Sequence, residues 1–245
     1  MERKINTGAL IYKEKMKVNF YDLDYKKRVK ISALLKMSAE IAGSDYVFRG
    51  LDHEFLWENG YVFLLSRISL HIERFPQGSF LDASTWECGK KGAMFLRGYE
   101  LCENGEICAD GISGWVVANP HTRKIIRPSA FPWLMPQFCD KGVKALPIDK
   151  IQAENLEPVG EHVVKISDLD ANGHVYNANY ADIAANFLPE DFYEGDISDF
   201  RINFINEATL GEKIEILREL SPNRAVVAGN IGGRPCFETE FLLRK

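Results

Sequence analysis

YDLDYKKRVKISALL (Tyr21–Leu35) and ISDLDANGHVYNANY (Ile166–Tyr180) are two versions of one segment. Asp22, Leu23, Asp24 and Val29 of the first stand a constant 146 positions before Asp168, Leu169, Asp170 and Val175 of the second. Each segment follows a strand-like run and leads into a helical one. A second pair lies downstream: ISLHIERFPQG (Ile68–Gly78) and FRINFINEATLG (Phe200–Gly211) are alternating strands that end in a turn glycine, with the two glycines 133 positions apart. The shared order of strand, Asx-rich turn, helix and alternating strand reads as an internal duplication, with extra residues between helix and strand in the first copy.

Outward from these segments the pattern is dominated by strands. Met16–Phe20, Ile68–Ile72, Phe200–Phe204 and Lys213–Ile216 alternate with period two, as strands with one buried face do. Ala93–Leu101, Ile112–Ala118, His162–Ile166, Arg224–Gly229 and Cys236–Leu243 are further candidates. Two stretches predict helices: Ile31 to about Phe48, with Ile31, Leu34, Leu35, Ser38, Ala39 and Ala42 on one face, and Asn177 to Leu188, stopped by Pro189. Two helices among many strands make an α+β pattern. The strand-poor, charged stretch CDKGVKALPIDKIQAENLEPVG (Cys139–Gly160) reads as a connector. The expected organisation is a first domain over residues 1–140, a linker over 141–160 and a second domain over 161–245.

With 46% hydrophobic and 27% charged residues in 245, the chain has the composition of a globular protein with a sizeable core. No apolar run reaches the length of a membrane span, and MERKINTGALIYKEKMK holds no signal-peptide core, so the expectation is a cytoplasmic protein without a membrane span. Five cysteines, odd in number and without C-x-x-C spacing, suggest reduced thiols rather than disulfides or a zinc site. A net charge of −5 argues against nucleic acid as a partner.

The order of a strand, D-L-D-x-N-x-H-V, a helix and a strand carrying E-A-x-L-G resembles the acyl-acyl-carrier-protein thioesterase family. The resemblance runs over nearly the whole chain: VKISALLKMSAEIAG, LSRISLHIERFPQG, TWE with AMFLRGYEL, and WVVANPHTRKIIRP in the first half, SDLDANGHVYNANY and NEATLGEKIEI in the second. It implies a double (tandem) hot-dog, an antiparallel sheet wrapped around long central helices, that hydrolyses fatty acyl-carrier protein without a cofactor. Plant members carry a cysteine directly after the catalytic glutamate; Ala208 stands there in this chain.

Thioester hydrolysis needs an activated water, a donor for the developing oxyanion and room for an apolar chain. Asp170, Asn172 and His174 alternate, so in an extended or turn conformation they project to one side. The candidate assignment gives Asn172, with a nearby backbone N–H, to the thioester carbonyl, and Asp170 to orienting that amide. Glu207, as the resemblance implies, pairs with His174 to activate water; which of Glu207, His174 or Asp170 takes the proton is open. Each residue has a plainer role available: turn and cap chemistry for Asp168, Asp170 and Asn172, structural hydrogen bonding for His174, a solvated strand end for Glu207.

At the positions of Asn172 and His174 the first copy has Lys26 and Arg28, which supply no neutral donor and base, so one catalytic site is expected, with the first helix free to line an acyl tunnel. Basic residues at Lys26–Lys30 and at Arg123, Lys124 and Arg127 are solvated faces or contacts for an acidic carrier protein. The alternatives are an acyl-coenzyme A thioesterase, a hot-dog dehydratase or hydratase, and a non-catalytic acyl-binding or regulatory module. Two fused halves already form the pair that single hot-dogs make by dimerising, and a homodimer is left open.

Overall fold

A computed structural model describes residues 6–8, 10–133 and 135–245; the parts of the expected first domain at 1–5, 9 and 134 lie outside the described residues. The elements are β1 (Tyr12–Lys17), α1 (Ile31–Arg49), α2 (His53–Glu58), β2 (Val62–Ile72), β3 (Phe80–Lys91), β4 (Met94–Glu103), β5 (Glu106–Ala118) and β6 (Ile125–Ile126) in the first half. The second half has β7 (Glu157–Val163), α3 (Asn179–Ala185), α4 (Glu190–Glu194), β8 (Ile197–Phe204), β9 (Lys213–Ser221), β10 (Arg224–Ile231) and β11 (Arg234–Leu243). One antiparallel sheet runs β1-β3-β4-β5-β2-β8-β11-β10-β9-β7, with β6 paired to β5. From either outer edge the order is the same, strand one, three, four, five, two of each half, and the halves meet where β2 pairs β8 from Arg67↔Asn203 to His71↔Asp199. This is the tandem hot-dog. The duplication is also visible in single hydrogen bonds: Val18 N–H donates to Ser79 O at 2.9 Å, and its counterpart Val164 N–H to Glu212 O at 3.0 Å.

The apolar face of α1 explains its place. Leu34 and Ile41 have no exposed surface, and Ile31, Leu35, Met37 and Ala42 are buried beside them. Each such side chain contributes about 1.5–3 kcal/mol by leaving water. The core is continuous with that of the second half, reaching Ile183 and Ala184 of α3 and Phe200, Phe237 and Phe241 of the sheet. Gly50 ends α1 in the left-handed region at φ 82°, its N–H satisfying Tyr46 and Val47 carbonyls. At the C-terminal end of α1, Asp45, Arg49, Glu87 and Arg97 form a buried ionic cluster that no sequence pattern announced, with Asp45 2.8 Å from both Arg49 and Arg97.

Several boundaries differ from the sequence expectation, and those beside the site do so for local reasons. β1 and β7 end at Lys17 and Val163, short of the expected Phe20 and Ile166, because a one-turn helix capped by Asp22 or Asp168 takes over. The second helix is seven residues long: Phe187 and Leu188 N–H groups bond three residues back, and Pro189 disfavours helical backbone before it. β7 begins at Glu157, inside the stretch read as linker. The rest of that stretch is tied across the sheet: Ala145 N–H donates to Asp110, Arg67 to Ile148 O, Arg201 to Pro147 O and Arg224 to Gln152 O. Arg67 and Arg201 alternate with the core residues Ile68 and Ile202, so the strap crosses the sheet face opposite α1.

Candidate active site

The turns that carry the repeated aspartates have the same wiring in both halves. Asp168 accepts the Lys165 N–H at 2.8 Å and Asp22 the Asn19 N–H at 2.7 Å. Asp170 Oδ1 accepts the N–H groups of Asn172 and His174, at 2.8 and 3.2 Å; Asp24 Oδ1 accepts those of Lys26 and Arg28, at 2.8 and 2.9 Å. The residue between is left-handed in each, Gly173 at φ 80° and Lys27 at φ 62°. Asp168 and Asp170 therefore build the turn, and Asp168 also meets His162 Nε2 at 2.8 Å.

Glu207 reaches the turn through backbone pairing. Val175 N–H donates to Ala208 O at 2.9 Å, and His174 and Thr209 face each other as an antiparallel bridge. With its neighbour pinned, Glu207 Oε2 stands 3.3 Å from His174 Nε2, the carboxylate 52% and the imidazole 30% exposed. Asn172 Nδ2 is 3.4 Å from Asp170 Oδ2 and its residue is exposed. All four residues singled out from the sequence thus converge. The backbone donor expected beside Asn172 does not lie within the turn: the N–H groups of Asn172 to Tyr176 already donate to Asp170, Ala208 and Asp168. Asn177, just before α3, lines the same space as Asn172.

That space is a cavity of about 590 Å³ between the halves. The second half supplies Asp170, Asn172, His174 and Glu207 with Tyr180 and Phe204, and the first supplies apolar side chains, Phe63 and Leu65 of β2 and Trp115 of β5, together with His53, Ser66 and Arg123. No lining residue of this cavity comes from α1, whose inward face packs in the core. Cys236 lies behind the site, its Sγ 3.1 Å from Asn206 O and 3.6 Å from Tyr180 Oη, and burial pushes its thiol up to about 11. Burial likewise pushes the Tyr180 phenol up. Among the described residues no group of three or more His, Cys, Asp or Glu is arranged to hold a metal ion.

In the first half the equivalent place is filled. Arg28, the counterpart of His174, pairs with Asp24 at 3.0 Å, donates to Tyr193 O and Gly195 O of the second half, and lies over the Phe75 and Tyr193 rings at 5.0 and 5.2 Å. Lys26, the counterpart of Asn172, pairs with Glu194 at 3.1 Å. Arg74 stands where Glu207 does, since the turn glycines Gly78 and Gly211 each follow by four positions, and it pairs with Glu103. The glycine offset alone could have identified Arg74. Within the run Lys26–Lys30, Lys26 and Arg28 also clasp the second half and Lys30 donates to Tyr21 O, while Lys26 and Lys27 are exposed.

Comparison with known proteins follows the same division of the chain. Residues 9–129 match the family described as acyl-ACP thioesterase N-terminal domain, and residues 152–232 that described as acyl-ACP thioesterase C-terminal domain. A chloroplastic palmitoyl-acyl carrier protein thioesterase of Gossypium hirsutum is 24% identical over 98% of this chain, which spans 62% of the length of that relative. The crystal structure of an acyl-ACP thioesterase from Bacteroides thetaiotaomicron superposes with a TM-score of 0.86 at 20% identity, covering 96% of this chain and 98% of that one. The 12:0-ACP thioesterase from Umbellularia californica gives 0.81 at 19% identity, covering 98% and 99%. At these identities the two structures speak for the fold.

Proposed function

Because the chain belongs to the acyl-ACP thioesterase family, we propose that it hydrolyses the thioester of a fatty acyl-carrier protein by direct attack of water. The observation that carries the reading is the convergence of His174 and Glu207, 3.3 Å apart, with Asn172 on a cavity lined also by apolar side chains. The His174–Glu207 pair takes a proton from water as its oxygen adds to the thioester carbon. The oxyanion is met by the Asn172 carboxamide, which Asp170 orients, and collapse breaks the C–S bond. The thiolate leaves with a proton returned by the pair, giving a fatty acid and the carrier thiol. No covalent intermediate is required, and Ala208 offers no nucleophile. The acyl chain lies against Trp115, Tyr180 and Phe204, where apolar burial holds it.

The acidic carrier is met by the exposed cations of and after the β5–β6 hairpin, Arg123, Lys124 and Arg127, of which Arg123 lines the cavity. A cytoplasmic location belongs to the same reading; among the described residues no helix is long and apolar enough to cross a membrane. Incubating the protein with a panel of acyl-carrier-protein and acyl-coenzyme A thioesters and identifying released fatty acids by mass spectrometry tests reaction and carrier together. Preferential release from the carrier protein is the expected result; release from coenzyme A alone favours the acyl-coenzyme A reading, and hydration or dehydration without release refutes hydrolysis.

A further inference from the structure

The cavity is elongated along β2. Its chemical end lies where β2 and β8 part: pairing stops at Arg67↔Asn203, and beyond it Ser66 and Phe204 both line the opening, followed by Ile205, Asn206 and Glu207. From Ser66 the lining continues through Leu64 to Val62, about 13 Å at the usual rise of about 3.3 Å per strand residue. Val62 pairs with Ala118, the last residue of β5, and the hairpin that follows Ala118 carries Arg123, which lines the cavity at this far end with Ile125 and His53.

Among the described lining residues Arg123 is the one arginine or lysine, against the carboxylates of Asp170 and Glu207. Among the described residues no carboxylate forms an ion pair with it, whereas Arg28, Arg74, Arg201, Arg224 and Arg244 each have one. Its backbone is held at φ 58°, a left-handed conformation that few residues other than glycine adopt. The hairpin that imposes this is well tied. Arg123 N–H donates to Asn119 O at 2.9 Å, Asn119 Oδ1 accepts His121 and Thr122 N–H groups, and Asn119 Nδ2 donates to Gly60 O at 3.1 Å. The chain therefore holds an unpaired guanidinium on a fixed turn, one strand segment away from the His174–Glu207 pair, with exposed Leu64 and Ile125 beside the path.

We propose that Arg123 binds the phosphate of the pantetheine arm that delivers the thioester. This rests on the hydrolase reading above. The neutral pantetheine chain lies along β2 between Ser66 and Val62, the sulfur end at His174 and the phosphate at Arg123. The same phosphate chemistry occurs in a carrier protein, where it is a diester on a serine, and in coenzyme A, where it is part of a pyrophosphate. Arg123 neutralises it in a cavity whose other charges repel it.

The test uses the full-length protein and four thioesters of one fatty acid: acyl-pantetheine, acyl-phosphopantetheine, acyl-coenzyme A and acyl-carrier protein. The ratio of kcat/KM for acyl-phosphopantetheine to that for acyl-pantetheine measures the phosphate. Arg123→Gln is expected to lower this ratio roughly three- to tenfold through KM, as loss of one exposed charge-assisted contact does. Arg123→Lys should restore part of it, and Lys27→Gln, a cation outside the cavity, should not move it. Equal loss with acyl-coenzyme A and acyl-carrier protein supports the shared phosphate. An unchanged ratio in Arg123→Gln, or a loss confined to the acyl-carrier protein, overturns the assignment while leaving hydrolysis standing. A wild-type protein that cleaves none of the four overturns both.

Discussion

Replacing His174 by alanine tests whether the chain works with one site or two. The imidazole pairs with Glu207 at 3.3 Å, and removing a general base or its partner typically costs about 10²–10⁴ in rate. That corresponds to about 2.7–5.4 kcal/mol of barrier at about 1.36 kcal/mol per factor of ten. The fold should survive, because the turn is built from the backbone N–H of residue 174 and the Asp170 carboxylate, both of which alanine leaves in place. A second site in the first half would have to be made from Lys26, Arg28 and Arg74, and those cations are already committed to Glu194, to Asp24 and second-half carbonyls, and to Glu103. Steady-state release of thiol from a short acyl-pantetheine thioester, with thermal melts of both proteins, decides the matter. His174→Ala is expected to fall at least about a hundredfold with an unchanged melting temperature. Retention of close to half the wild-type kcat in a folded variant would refute both the single site and the chemically silent first half.

Arg28→Ala removes the clasp between halves and leaves the buried Asp24 carboxylate without its cation; urea unfolding should show a loss of about 2–4 kcal/mol, with kcat on a small thioester retained, and an undiminished midpoint would contradict the clasp. Arg97→Met leaves Glu87 without its ion-pair partner in the core while Asp45 keeps Arg49, and the expected cost near pH 7.5 is about 3–5 kcal/mol. Burial, reinforced by the Asp45 charge, raises the Glu87 carboxyl against the pull of Arg97. Without Arg97 the folded state holds more protons than the unfolded one above the ordinary carboxylate range, so stability is lost as pH rises through that window and regained as it falls. The Arg97→Met deficit should therefore shrink at pH 5, and equal deficits at both pH values would count against the buried pair. Iodoacetamide at pH 8 should leave activity intact, since the cysteine nearest the site has a thiol pushed up to about 11, leaving about one part in a thousand as thiolate; a covalent acyl-enzyme trapped on any side chain would overturn direct attack by water.

The duplication and the α+β class were readable in the sequence because each is a local pattern, and Asp170, Asn172 and His174 stood out as candidates for the same reason, whereas Glu207 was indicated only by the family resemblance. Period-two alternation marks a half-buried strand wherever it pairs, and an Asx turn wires itself from residues within four positions, as Asp170 does with Asn172 and His174. The offset that aligns Asp24 with Asp170 also showed which copy had lost its polar groups. What the sequence did not contain is the meeting of segments far apart along the chain. Glu207 reaches His174 through the Val175–Ala208 hydrogen bond, and the cavity they line takes apolar side chains from β2 and β5 of the other half. That Lys26 and Arg28 of the basic run also clasp the second half was not legible, because their partners, Glu194 and the Tyr193 and Gly195 carbonyls, lie more than 160 residues away. Charge and periodicity set what a segment can do, but which groups are buried, paired or left free for a ligand is decided by contacts that only the closed sheet brings together.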